Sequence, residues 1–120
     1  MKQDYLQIRV FEIAPEVFAS GQLFDSDVAL LGGQRVRSIL NTRPDNESEG
    51  QPLSADLQKT AETLGMTFVH FPVEPAALTQ GSAREFAKTC DELERPMIVC
   101  GRSGPHATKI WETVEALLDD

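Results

Sequence analysis

Short apolar runs and helical-period stretches alternate along the chain. Leu6 to Phe11 carries apolar residues at alternate places and reads as a strand. Glu16 to Ser20 reads as a second extended segment, ended by Gly21. Asp25 or Ser26 is placed to cap a short helix carrying Val28, Leu30 and Leu31, with Gly32-Gly33 as its stop. Val36 to Leu40 reads as a buried strand that runs into the polar, turn-like segment Asn41-Thr42-Arg43-Pro44-Asp45. After a polar loop over 46–52, Ser54 is the expected cap of a helix with Leu57, Ala61 and Leu64 on one face and Gly65 at its end. Thr67 to Phe71 is the next strand, ended by Pro72. Ser82 with Glu85 makes a capping-box pattern ahead of Phe86, Cys90 and Leu93 at helical spacing. Pro96 ends that helix, and Met97 to Cys100 is a short apolar strand. The last helix puts Ile110, Val114 and Leu117 on one face, with Trp111 and Leu118 beside it.

Strand and helix in alternation imply an α/β fold, a mainly parallel sheet of four to five strands flanked by helices with right-handed crossovers. No repeat, low-complexity tract or linker interrupts the pattern, so 1–120 is read as a single domain. A chain of 120 residues can hold one core.

Composition narrows the function only a little. Hydrophobic residues at 41% and charged residues at 25% are ordinary for a globular protein. The net charge of −8, from 11 basic and 19 acidic residues, argues against a broad nucleic-acid surface but leaves room for one small anion site. Cys90 and Cys100 form neither a CxxC metal pattern nor a disulfide framework, which suits a reduced, intracellular setting. With only His70 and His106 present, no His-rich zinc site is available, and neither metal nor cofactor is expected. Met1-Lys2-Gln3-Asp4 leads into no signal-peptide stretch, and no run approaches the roughly 18 to 20 apolar residues of a membrane helix. The expected setting is the cytoplasm, with no membrane partner.

Chemistry in such a sheet gathers at the carboxyl ends of the strands. Three segments arrive there: Asn41 to Asp45, Pro72 to Glu74, and Cys100 to His106. The third places two glycines, Gly101 and Gly104, around Arg102 and Ser103, with Pro105 suited to a first helical turn. Successive backbone N–H groups in such a loop, together with a helix N-terminus, make an anion cradle. Arg102 and Arg43 are the candidate cations for bidentate contacts to oxyanions. The expected ligand is a phosphorylated small molecule, a phosphoprotein or another small anion.

These residues resemble a known family. Val17-Phe18-Ala19-Ser20-Gly21-Gln22, Asn41-Thr42-Arg43-Pro44-Asp45, Gln51-Pro52, His70-Phe71-Pro72-Val73, Arg102-Ser103-Gly104 and Trp111 are together similar to the beta-lactamase-hydrolase-like phosphatase family of bacteria. The resemblance implies a protein tyrosine phosphatase-like fold and cysteine-dependent hydrolysis of phosphoric monoesters. In that chemistry a loop thiolate attacks phosphorus and a loop arginine steadies the transition state. Asp45 then becomes a candidate general acid or a brace of its own turn, and Glu74 a candidate general acid or a solvated loop carboxylate.

The family loop reads Cys-Arg-Ser-Gly-x-Arg, and this chain departs from it. Matching Arg102-Ser103-Gly104 and Trp111 puts Gly101 at the cysteine position and His106 at the arginine position, leaving Cys100 as a buried strand residue. The alternative register keeps Cys100 as nucleophile with His106 six positions on, at the cost of a slip against Gly104 and Trp111. Either way a histidine, without the planar fork of arginine, stands at the end of the loop. Cys100, His106 and Asp45 are therefore the catalytic candidates of a phosphatase-like domain, weak or impaired in turnover. Gly101, Arg102, Ser103, Gly104, Pro105 and Arg43 are its phosphate-binding candidates. The competing readings are a non-catalytic anion-binding or protein-interaction module, and a rhodanese-like sulfur transferase built on Cys100.

Overall fold

Four consecutive apolar residues, Met97 to Cys100, need burial on both faces, and they form the middle strand of a five-stranded sheet. A computed structural model of the chain describes residues 9–119. Its elements run β1 (Val10–Ala14), β2 (Val17–Ser20), α1 (Asp25–Gly33), β3 (Ser38–Asn41), α2 (Ser54–Thr63), β4 (Thr67–His70), a 3-10 turn at Pro75–Ala77, α3 (Gln80–Glu92), β5 (Met97–Cys100) and α4 (Gly104–Leu118). The sheet order is β1-β2-β5-β3-β4, with β1 antiparallel to β2 and every other pair parallel. The expected α/β architecture is present. The strand expected from Leu6 begins at Val10 among the described residues, and Leu6 to Ile8 lie outside them.

Side-chain alternation along β5 divides the core in two. Met97 and Val99 join Phe86, Cys90, Ile110 and Val114 beneath α3 and α4. Ile98 and Cys100 join Leu23, Val28, Leu31 and Leu57 beneath α1 and α2. The helix after β5 thus covers one face, while the helix after the neighbouring β3 covers the other. Between two such strands the following loops part, and a crevice opens at their carboxyl ends.

Several helix ends differ from the sequence expectation in ways the contacts explain. The cap of α1 is Phe24, whose N–H donates to Asp27 Oδ2 at 2.9 Å, rather than Asp25 or Ser26. Gly32 and Gly33 lie inside the helix, and the chain leaves through Arg35 at φ 72°. Gly32 serves close packing, since a Cβ there would meet Met66 Cε at 3.2 Å. Ser54 is the first residue of α2, not its cap, and its N–H is taken by Asp45 Oδ1 at 2.8 Å. The capping box of α3 is Thr79 with Ser82, three residues ahead of the expected Ser82–Glu85 pair.

Phe86 is 1% exposed and meets Phe71 edge-on at 5.3 Å and Trp111 at 6.5 Å between ring centres. Truncating it leaves a cavity that two aromatic neighbours on separate elements are poorly placed to fill. Phe86→Ala is expected to lower unfolding stability by about 3–5 kcal/mol, read from urea denaturation.

Candidate functional site

The loop between β5 and α4 lies at the expected end of the sheet. Gly101 N–H continues the parallel pairing by donating to Ser20 O at 3.0 Å, and the chain then turns. Ser103 caps α4 with its hydroxyl, accepting from His106 N at 3.1 Å, and Pro105 lies in the first turn. The backbone N–H groups of Arg102 and Ser103 have no acceptor among the described residues. They lie just ahead of a 15-residue helix whose N-terminal end carries partial positive charge.

Glycines set the shape of this loop. A Cβ on Gly21, at the end of β2, would sit 3.3 Å from Ser103 Cα, so the Ala19-Ser20-Gly21-Gln22 segment runs flush against the loop. A Cβ on Gly104 would meet Phe11 Cε2 at 2.9 Å. A Cβ on Gly101 would lie 3.3 Å from Thr42 Oγ1 and 3.4 Å from Ala107 N, pointing at the first turn of α4.

Cys100 belongs to the other face. Its side chain is 1% exposed, packs within the α1–α2 core, and its Sγ lies 3.5 Å from Asn41 Oδ1. Burial pushes the thiol from about 9 up to about 12, opposed in part by a backbone hydrogen bond. Cys90, buried between α3 and β5, is likewise pushed up to about 12, chiefly by burial, with Arg95 acting against it.

The Asn41–Asp45 segment is braced by its own side chains. Asn41 accepts from Arg43 N at 3.1 Å with Oδ1 and donates to Ser54 Oγ at 3.1 Å with Nδ2. Thr42 donates through both N and Oγ1 to Cys100 O, at 2.9 and 2.8 Å, which ties the two loops together at their bases. The Arg43 guanidinium is committed to Glu47 at 2.8 Å, Gln22 Oε1 at 2.9 Å and Ser48 Oγ at 2.8 Å, and its side chain is only 11% exposed. Gln51 closes the loop by accepting from Glu47 N and Ser48 N and donating to Pro44 O. His70 Nε2 donates to Arg43 O at 2.7 Å, which fixes its ring proton on that nitrogen. Asp45 is turned to the α2 N-terminus through its contact with Ser54 N.

The rim carries the remaining charge. Arg102 is half-exposed, with NH1 4.0 Å from Glu47 Oε2. His106 Nε2 lies 3.8 Å from Glu74 Oε1, whose side chain is 45% exposed. The structure therefore places Gly101, Arg102, Ser103, Gly104, Pro105 and His106 together in the turn from β5 into α4. It places Cys100 behind the sheet and engages Arg43 and Asp45 in bracing. Glu47 is the member that sequence reading passed over, and Thr42 was named in its segment without a role. An Arg and a Glu four apart, Arg43 and Glu47, were the available signal for the first.

Two buried thiols of raised pKa imply a pH dependence. Each stays protonated in the folded chain while it ionises in the unfolded one, so their contribution to stability is complete below pH 9 and is lost as pH rises toward 12. Iodoacetamide at pH 8 is expected to leave both cysteines of the native protein unmodified and to alkylate both in urea, as read by mass spectrometry. Asp45→Ala, which removes the cap from Ser54 N, is expected to cost about 1 kcal/mol in the same urea denaturation.

Comparison with known proteins accords with this geometry. A relative from Agrobacterium fabrum, a beta-lactamase hydrolase-like protein, is 29% identical over 110 residues, covering 92% of this chain and 26% of its own length. The chain thus spans about a quarter of the length of the curated relatives it matches. A solved structure of a candidate phosphatase from Neisseria meningitidis superposes with a TM-score of 0.71 at 26% identity, covering 79% of this chain and 68% of that one. At 12% identity, TpbA of P. aeruginosa in complex with phosphotyrosine shares the fold at a TM-score of 0.59, covering 79% of this chain and 54% of that one. The sheet and its helices are those of protein tyrosine phosphatase-like proteins. The family described as beta-lactamase hydrolase-like protein, phosphatase-like domain, matches residues 8–118, and the chain belongs to it.

Proposed function

We propose that this phosphatase-like domain holds a phosphate-type anion in the 101–106 loop and turns over phosphoric monoesters weakly or not at all. The observation that carries this reading is the direction of two neighbouring residues. The Cβ direction of Gly101 runs toward Ala107 N, while Cys100 is buried under α1 and α2. A cysteine nucleophile must be an exposed thiolate in line with phosphorus. A thiol held at about 12 on the far side of a strand supplies neither condition at neutral pH.

What remains is a binding site. N–H groups of Arg102 and Ser103 without an acceptor among the described residues, the N-terminus of α4 and the half-exposed Arg102 side chain all favour an oxyanion. His106 offers a ring nitrogen at the rim without the two-pronged grip of an arginine. The phosphotyrosine held by TpbA supports a phosphorylated small molecule or phosphoprotein as ligand class. Sulfur transfer asks for an accessible, acidic thiol, and both cysteines here are buried with raised pKa values. Two free thiols accord with the reducing cytoplasm as its setting.

Calorimetry with inorganic phosphate is expected to show binding that Cys100→Ser leaves within about twofold, while neither protein hydrolyses an aryl phosphate above background. Absence of heat at millimolar phosphate sinks the binding reading. Hydrolysis that disappears in Cys100→Ser sinks the absence of a nucleophile. The double variant Gly101→Cys with His106→Arg is expected to gain aryl phosphate hydrolysis, with the Thr42 hydroxyl yielding a few tenths of an ångström to the new side chain.

A further inference from the structure

Beside the 101–106 loop, the chain leaving β4 lines an open groove of about 290 Å³. Its walls are apolar, formed by Pro44, Phe71, Pro72, Val73 and Ala77, and its charged side chain is Glu74. The hydroxyl of Ser82, also at its edge, is committed to the Thr79 cap of α3. The same Glu74 reaches His106 Nε2 at 3.8 Å, so one carboxylate borders both the groove and the loop.

That placement is unfavourable for a bare anion. A second carboxylate, Glu47, is held at the rim by its bond to Arg43 and faces Arg102 at 4.0 Å. Arg102 and His106 therefore each already face a carboxylate, in a chain of net charge −8. A ligand that brings its own positive charge to Glu74 removes that repulsion. An organic ammonium group with apolar substituents also suits apolar walls beside a carboxylate, and Phe71 is among those walls. The groove is at the small end of the range for ligand pockets, which runs from roughly 300 Å³ upward, and so takes a compact group.

We propose that the ligand of this site is zwitterionic, with its oxyanion in the 101–106 loop and an organic ammonium group in the groove formed by Phe71 and Glu74. The proposal rests on the anion-binding reading above. It names what lies on the far side of the phosphoryl group: a short linker ending in a positive charge, as in aminoalkyl and choline phosphates.

Calorimetry with three ligands tests it. Phosphocholine is compared with neohexyl phosphate, in which carbon replaces the quaternary nitrogen, and with inorganic phosphate. Phosphocholine is expected to bind about fivefold more tightly than the neohexyl ester, the order expected of an exposed ion pair beside an aromatic wall. Glu74→Gln is expected to weaken phosphocholine and to tighten inorganic phosphate, so the two ligands respond with opposite sign. Equal affinity for the charged and uncharged esters, or a preference that Glu74→Gln leaves untouched, overturns the ammonium subsite while the anion loop stands. Failure of all three to bind overturns the anion-binding reading and the subsite with it.

Discussion

Successive side chains on a strand point to opposite faces, and in β5 that rule governs the chemistry as much as the packing. Met97 and Val99 bury under α3 and α4, and Ile98 and Cys100 under α1 and α2. The four residues are each at most 2% exposed, so the strand has no freedom to rotate or slip without putting apolar surface into the wrong core. Gly101 inherits the α4-facing direction. A register shift that delivered the Cys100 sulfur to the loop would have to turn every side chain of β5 over. The core thus fixes which residue stands at the base of the 101–106 loop.

A second constraint holds the mouth of the crevice. The loops after β2, β3 and β5 touch through backbone and buried polar groups rather than through apolar packing. Thr42 bonds Cys100 O, Gly101 bonds Ser20 O, and Arg43 bonds Gln22. Asn41, 2% exposed, serves Arg43 N, Cys100 Sγ and Ser54 at once. Buried polar groups are costly when unpaired, so each of these residues is retained only because its partners are in place. The result is a rigid frame around N–H groups that stay unspent.

The sequence carried the architecture because the architecture is written in local signals. Short apolar runs, helical spacing at Leu57 and Ala61, and Gly65 at the end of α2 each act over a few residues. The caps of α1 and α3 differ from expectation by a residue or a few within local sequence, and that of α2 differs because its partner is distant. Asp45 reaches Ser54 across nine positions, and no local pattern foretells that. The site was half legible for the same reason. Gly101 to His106 is contiguous, so its loop was visible in the chain. Arg43 looked like an oxyanion ligand because one of its partners, Gln22, becomes a neighbour only once β2 and β3 flank β5.

The charge pattern at the rim follows from that bracing. Glu47 cannot swing away to make room for an anion, because its oxygen is held by Arg43, which is itself held by Gln22 and Ser48. Glu74 has no comparable side-chain bond among the described residues; its side chain is 45% exposed, with His106 Nε2 at 3.8 Å. One carboxylate is therefore a fixed part of the frame, and the other is free to choose a partner. Desolvating a free carboxylate against an arriving phosphate is unfavourable, while pairing it with an arriving cation is not. The acidic character of the whole chain then acts as a filter. Net charge of −8 disfavours polyanions at the approach, and a ligand whose negative charge is already balanced meets less of that repulsion.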